Sequence, residues 1–466
     1  MNAAPDPQEN LLLARAYELT QQGVTPYTQD FARSCTLVEM NENFDEVEDA
    51  DRVVLDAPIQ VCGRVSWLKD HGDHILIRIE DQNTHLQVRV YLERLPESQS
   101  RLLQSRVYRG DYLGFHVQAV CRIDGYITAE ANEWCYLSLA NLPIPLHLDT
   151  QRQRRERYLH LASSLDAREQ MVKRSQVLHQ IRRVLNSFDI LEVNTPYPLD
   201  GIAETVEYYQ LQHYLVGGLE QVYEIGPVRL SHAIDWLNHP QALWLRACLA
   251  LKSVNYTMQL MEHLLLHVTS YLHAHPVILN TPFEYMKGGD RTGIEAVFPD
   301  DHLQQIDLSP GWAQRRLPEL VSTIVGIDFT MLTNLDEALN VATQAGLQLT
   351  ERSHYQSIEA VMLDTFRQLV QPVLIQPTFV IYPFRGAVSS FELIIKGMHM
   401  GCGQILNIDP AHMANDIALQ SEYKRRALML GMLPGVELAL NIDRLCMLLL
   451  NIDDIRDIVP FPLPVA

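Results

Sequence analysis

Tyr223-Glu-Ile-Gly-Pro-Val-Arg-Leu-Ser-His-Ala-Ile-Asp-Trp-Leu-Asn-His-Pro-Gln-Ala-Leu-Trp-Leu-Arg246 reads as a strand, a long loop and a returning strand. Val222 to Val228 alternates bulky apolar residues with others and breaks at Gly226-Pro227. Asp235, Asn238 and Pro240 carry turn chemistry, and Leu243 to Leu251 is an apolar run suited to burial in a sheet. The stretch predicts a hairpin in the middle of the chain.

Outward from it, 466 residues with 47% hydrophobic and 20% charged content predict two or three packed domains. A net charge of -20 excludes a surface that is basic throughout, but leaves room for a local basic face. Seven cysteines without a Cys-x-x-Cys pair predict reduced thiols and a cytoplasmic location. The apolar run Leu438 to Ile452 is interrupted by Asp443 and Arg444, so no membrane partner is expected.

In chain order, residues 10 to 22 have helical spacing and stop at Gly23, within an N-terminal extension over 1–50 that closes on an acidic connector, Asn41 to Asp51. Short alternating runs follow at Ile59–Trp67, His74–Glu80, His85–Leu92, Tyr112–Ile123 and Trp134–Leu139. They predict a small closed barrel of OB-fold type over 51–148. An Arg-rich linker spans 149–162, and a larger domain spans 163–466 with a helical insertion over about 255–370. The class is α+β. His263 and His267 stand four apart on one predicted helix, but no third ligand accompanies them and no metal is expected there.

The central hairpin resembles motif 2 of the class II aminoacyl-tRNA synthetases, and that of the lysyl-tRNA synthetases most closely. Phe188-Asp-Ile-Leu-Glu-Val-Asn-Thr-Pro196, with the helix before it, is similar to motif 1. Gly435 to Pro462, with Asp443-Arg444, is similar to motif 3. Pro372 to Pro383 and Phe391-Glu-Leu-Ile-Ile-Lys-Gly-Met-His-Met-Gly-Cys-Gly403 are similar to the active-site strands between them. The resemblance covers about residues 10 to 464. It implies an anticodon-type OB barrel, a class II antiparallel sheet flanked by helices, and a homodimer through motif 1.

The working residues depart from the family. Its Phe-Arg-Asn-Glu reads Arg229, Leu230, Ser231 and His232, so the implied adenine-stacking Phe and phosphate-binding Arg are replaced. The return-strand Glu reads Arg246. Of the two implied Mg²⁺ carboxylates, Glu392 stays and the other reads His399, while the family's Asn beside it reads Cys402. Tyr208 stands where a Glu would read the substrate amine, and the three Gly of motif 3 read Glu437, Ala439 and Asn441. On the barrel, Leu76 replaces the stacking Phe and Glu80 the usual Gln. Arg64, Trp67, Arg78 and Arg89 remain as RNA-binding candidates.

The expected protein is therefore a dimeric binding or regulatory relative without lysine–tRNA ligase activity. Its remodelled pocket is expected to be lined by Tyr208, His232, Asn238, His399 and Cys402, without a cofactor. Two alternatives stand beside it. One is an ATP-dependent ligase for another acid, gripping phosphate through Arg229, Arg246 and Arg444 with Mg²⁺ on Glu392. The other is a regulator that binds tRNA or other RNA without catalysis. A protein partner is compatible with each.

Overall fold

The computed structural model describes residues 7–49, 51–82, 84–195, 205–228, 235–240, 242–280, 304–349, 354–384, 387–409 and 422–462. The chain forms two compact units, Met1–Gln170 and Met171–Ala466. The division falls inside the helix Leu165–Ser187, downstream of the domain limit expected at 162.

The first unit is built on β1 (Arg52–Asp70), β2 (His74–Glu80), β3 (His85–Tyr91), β4 (Tyr112–Ile123) and β5 (Tyr126–Ser138), closed in the order β1-β2-β3-β5-β4. Alternation sends Ile75, Ile77 and Ile79 of β2 and Leu86, Val88 and Val90 of β3 into the interior. β3 and β5 pair in parallel, and the other neighbours are antiparallel. β1 and β5 are longer than their alternating runs. Register shifts between Val54 and Ile59 and between Val65 and Trp67 change which side chains of β1 point inward, so one clean period does not mark its length. Asp124 and Gly125, both at positive φ, close the β4–β5 hairpin with the two-residue turn that such a dipeptide favours.

The acidic connector is partly helical. Thr36 and Glu39 form a reciprocal capping box on the helix Leu37–Asn43, which buries Leu37 and Met40 against the barrel. The Thr-x-x-Glu spacing is a sequence signal for this helix. The Arg-rich linker holds two short helices, Thr150–Arg155 and Arg157–Ser163, and Arg157 is buried.

In the second unit, β6 (Leu191–Glu192), β7 (Gln221–Pro227) and β8 (Leu243–Ala250) precede a small hairpin of β9 (Val277–Asn280) and β10 (Gln304–Asp307). β11 (Ala313–Arg316), β12 (Thr378–Phe384), β13 (Ala387–Ile395), β14 (Met398–Ile405) and β15 (Gly435–Asn441) complete an eight-stranded sheet in the order β11-β12-β13-β14-β15-β8-β7-β6. The outermost pairs, β11–β12 and β6–β7, are parallel; all pairs between them are antiparallel. Pro196, at the end of the motif 1 segment, lies outside the described residues.

One face of this sheet is covered by helices. Val177, Ile181 and Leu185 of Leu165–Ser187, Met258, Met261 and Leu265 of Val254–His273, and Leu445 to Leu449 of Ile442–Leu450 share a core with Phe391, Leu393 and Leu438 of the strands. The helical insertion is present but also contains the β9–β10 hairpin and β11; its helices Leu317–Val325, Leu335–Gln344 and Ile358–Thr365 form a separate apolar cluster with Val380 and Ile394. His267 Nε2 lies 3.0 Å from Gln180 Oε1, and His263 meets Phe188 edge-on. Among the described residues, no three His, Cys, Asp or Glu side chains converge as a metal site requires, and no helix is long and apolar enough to cross a membrane.

Candidate functional site

The face of the sheet opposite the shared core carries a row of cross-strand partners: Glu392 on β13, Cys402 on β14, Ala439 on β15, Arg246 on β8 and Glu224 on β7. Directly opposed residues of antiparallel strands share a face, so these five, distant in sequence, form one line. Four of them, Glu392, Cys402, Ala439 and Arg246, floor a cavity of about 290 Å³. Small side chains, Cys402 and Ala439, occupy its middle. Tyr382 and Ser390 flank Glu392, Gln404 and Glu437 stand beside the floor, and Leu211 closes one side.

Next to Arg246, the carboxylate of Glu224 accepts from Thr195 N at 2.6 Å, from the single hydroxyl proton of Thr195, whose Oγ1 lies 2.8 Å from both oxygens, and from Arg246 Nη2 at 2.5 Å. Arg246 is 7% exposed, and its Nε and Nη1 have no hydrogen-bond partner in the structure. At the other end, burial raises the pKa of Glu392, against the opposing influence of Arg367 and Tyr382. The Tyr382 hydroxyl lies within electrostatic reach of that carboxylate without a well-formed hydrogen bond to it; burial, then Glu392, raises its pKa. Burial also pushes the Cys402 thiol up to about 12, with Glu437 and Glu392 adding to the effect, so it is a neutral thiol at ordinary pH.

Glu392 gives a direct pH test. Because its folded pKa lies above its ordinary value, the folded state holds the proton more tightly than the unfolded chain, and stability falls as pH rises through that interval. Glu392→Gln is expected to remove this fall. In thermal melts the variant should be more stable than the parent at pH 7 to 8, and the gain should vanish as the pH falls below the ordinary carboxylate range. A variant less stable at neutral pH would show that the ionised carboxylate is held by favourable contacts.

Arg444 lies in the first turn of Ile442–Leu450, where Asn441 caps the helix by accepting from Arg444 N at 2.9 Å. Its guanidinium donates to His399 O at 2.5 Å, Asn238 Oδ1 at 2.9 Å and Leu237 O at 3.4 Å. Burial lowers its pKa to about 10, which Asp235 partly offsets. Asp235 in turn accepts from Leu237 N and Asn238 N, each at 2.7 Å, and so fixes the loop that presents those acceptors. The neighbouring ion-pair residue is Asp443, which takes Arg174 at 2.8 Å. His399 is held neutral, its pKa lowered to about 4 by burial and then by Arg444 and Arg367.

The structure thus gathers Arg246, Glu392 and Cys402 around the cavity, and joins Asn238 to His399 through Arg444. Arg229 and His232 lie outside the described residues. Tyr208 falls in the helix Thr205–Val216, but its side chain is outside the description. Glu437, notable in the sequence only as the replacement of a motif 3 Gly, lines the cavity as well. Tyr382 and Gln404 join it without having stood out in the sequence. Their only signal there is strand alternation relative to Glu392 and Cys402, which becomes useful once strand register is known.

On the barrel, Trp67 opposes Arg78, and Arg89 opposes Leu76, all on the outer face; Arg64 opposes Glu80 on that same face. Arg64 stacks over Tyr112 with its guanidinium carbon 4.7 Å from the ring centre, and Arg94 stacks over Tyr91 at 4.1 Å. Trp67 is 44% exposed. Glu80 is engaged by Arg168 at 3.1 Å.

A family model described as tRNA synthetases class II (D, K and N) matches residues 202–464. A lysine–tRNA ligase of Synechococcus sp. (strain RCC307) is 27% identical over 503 residues, covering 97% of this chain and 95% of the relative. One of Streptococcus agalactiae serotype V (strain ATCC BAA-611 / 2603 V/R) is 26% identical over 495 residues, with 95% of each covered. One of Staphylococcus haemolyticus (strain JCSC1435) is 25% identical over 499 residues, with 96% of each covered. Together with the eight-stranded sheet and its helical cover, the match over more than half of the chain shows that it belongs to the class II tRNA synthetases (D, K and N).

Proposed function

We propose that this lysyl-tRNA ligase-like chain does not make lysyl-tRNA and acts as a dimeric binding or regulatory protein, with a small ligand in the remodelled cavity. The observation that carries this reading is the state of Arg444. Its donors are directed at His399 O, Asn238 Oδ1 and Leu237 O, so a phosphate would have to displace contacts already made within the protein. Charge-assisted hydrogen bonds of this kind are worth about 1.5–3 kcal/mol each.

The side chains present also fit Mg²⁺ poorly. A hard cation needs oxygen ligands, whereas the pair expected at the metal position is one carboxyl group, whose pKa burial raises, and a neutral imidazole. Acyl activation by ATP depends on positioned charge, which such a pair supplies poorly.

Calorimetric titration of ATP with Mg²⁺ into the purified protein, with and without lysine, tests the reading beside an active lysine–tRNA ligase. The expected result is no heat and no thermal stabilisation up to millimolar ATP. Micromolar ATP binding would overturn it and favour a ligase for another acid, gripping phosphate through Arg246, Arg444 and Arg229.

A second reading, an RNA-binding regulator, is supported by the outer face of the barrel, where Trp67 and Arg78 are cross-strand neighbours and Arg64 stacks on Tyr112. Base stacking on an aromatic side chain contributes about 1–3 kcal/mol. Strongly salt-dependent binding of a tRNA without nucleotide affinity would favour this reading over the first.

A further inference from the structure

Between Leu317 and Thr350 the sequence contains no Lys, Arg or His, against 37 Lys and Arg in the whole chain of 466 residues, while Glu319, Asp328, Asp336 and Glu337 fall inside it. Most of that stretch is the helix Leu317–Val325, a 3₁₀ turn over Phe329–Met331 and the helix Leu335–Gln344 of the helical insertion. The helix Ile358–Thr365, which shares their apolar cluster, adds Glu359 and Asp364 and again no cation. Asp328, Asp336, Glu337 and Glu359 are exposed.

The same surface is also apolar. Met331 is 78% exposed and Ile324 42%. Val325, Ile327, Leu332 and Leu335 rest on the cluster but are only half-buried. One exposed apolar side chain is ordinary, but several around one turn mark a place where another molecule packs.

Local structure accounts for part of the acid. Asp328 caps the 3₁₀ turn by accepting from Thr330 N at 3.0 Å, and Asp336 and Glu337 stand in a first helical turn, where the dipole favours them. It accounts neither for the exposure of Met331 nor for the lack of cations in these helices. Arg316, just before the stretch, lies 3.9 Å from Glu319, and Arg367, after the last helix, acts electrostatically on Glu392.

We propose that this face of the insertion docks a basic amphipathic helix of a partner protein, with its apolar side over Ile324 and Met331 and its Lys and Arg toward Asp328, Glu337 and Glu359. Charge sets the class of occupant, because like charges across an interface reject a partner and opposite ones select it. The face is built of helices and a turn, so it offers side chains rather than a strand edge, and an incoming helix is the form that reads side chains. The inference depends neither on the cavity nor on the state of Arg444.

Fluorescence anisotropy of labelled peptides with the full-length protein tests it. The probes are a short helical peptide of leucine and lysine with one apolar face, the same composition in an order without that face, and the leucine–glutamate counterpart. The expected result is micromolar binding of the first, about tenfold weaker binding of the second, none of the third, and an affinity that falls with salt. Met331→Ser removes apolar area without changing charge and should weaken the first peptide by about tenfold. Glu337→Lys with Glu359→Lys should weaken it by about as much. Glu42→Lys with Glu46→Lys, the same change of net charge placed on exposed residues of the first unit, should leave it within about twofold.

Equal loss in the two charge-reversed variants would overturn the proposal, because the peptide would then be reading the overall charge of -20. Unchanged affinity in Met331→Ser would overturn it too, as would equally tight binding of either control peptide. Self-association of the parent in sedimentation that Met331→Ser abolishes would assign the face to a second copy instead. Because Met331 is exposed, that variant should fold even if Glu337→Lys with Glu359→Lys does not, and circular dichroism checks both. ATP is absent throughout, so failure here is distinct from failure of the functional reading, which the nucleotide titration decides.

Discussion

Asp443→Ala is expected to destabilise the second unit by about 3–5 kcal/mol, the range found when one member of a buried ion pair is removed. Asp443 is fully buried, and its two oxygens do separate work. Oδ1 accepts from Arg174 Nε at 3.1 Å and Nη2 at 2.8 Å, and Oδ2 accepts from Leu243 N at 2.8 Å. The residue sits in the first turn of Ile442–Leu450, where the helix dipole also favours a negative charge.

Truncation would leave a mostly buried guanidinium without its counter-charge and the first amide of β8 without its acceptor. For a unit of this size the melting temperature should fall by roughly 10 °C. The measurement is the transition assigned to the second unit in a calorimetric scan, since a chain of two compact units need not unfold in one step. Combining Arg174→Met with Asp443→Leu should recover part of the loss, because it removes both charges together. A loss below about 1 kcal/mol for Asp443→Ala would show that the pair is solvated in solution.

The corresponding effect in the first unit is expected at Asp111, again about 3–5 kcal/mol on replacement by alanine. Asp111 is fully buried and accepts four hydrogen bonds: Arg15 Nη1 at 3.1 Å, Arg15 Nη2 at 2.5 Å, Tyr108 N at 2.9 Å and Ala140 N at 2.8 Å. It therefore joins the helix Pro7–Gln21 to the start of β4 and to the segment after β5. Arg15 also lies over the Tyr108 ring, with its guanidinium carbon 4.5 Å from the centre, and donates to Arg106 O.

In Asp111→Ala the N-terminal helix should be the element released. Amide exchange at Leu19, whose side chain is 1% exposed, should accelerate more than exchange in β2 and β3. Uniform acceleration through the barrel would instead mean that the helix and barrel unfold as one unit. Arg15→Met with Asp111→Leu is the compensating pair.

Much of the framework was legible in the sequence because it is written in local periods. β2 and β4 have the bounds that alternation predicts, and the hairpin around the central loop returns as β7 and β8. The helix before motif 1 likewise follows its apolar spacing into Val177, Ile181 and Leu185. Where two periods meet, as at the register shifts of β1, the pattern understated the element.

The replacement of the family's working residues was also visible position by position, and with it the expectation that nucleotide chemistry is altered. What those positions do instead depends on strand register. Glu392, Cys402, Ala439, Arg246 and Glu224 become neighbours only when β13, β14, β15, β8 and β7 lie side by side, and the unpaired donors of Arg246 exist only in that arrangement. The same holds for Arg444. Two of its three side-chain acceptors are backbone carbonyls, of Leu237 and His399, and a carbonyl is common to every residue type. The sequence by itself determined the class of fold, the alternating strands and the loss of familiar side chains, because those follow from residue type and short-range spacing. Tertiary structure alone decided which charges meet, which stay unpaired and what the cavity can hold, because Asp443 finds Arg174, and Arg444 finds His399, through space across different elements.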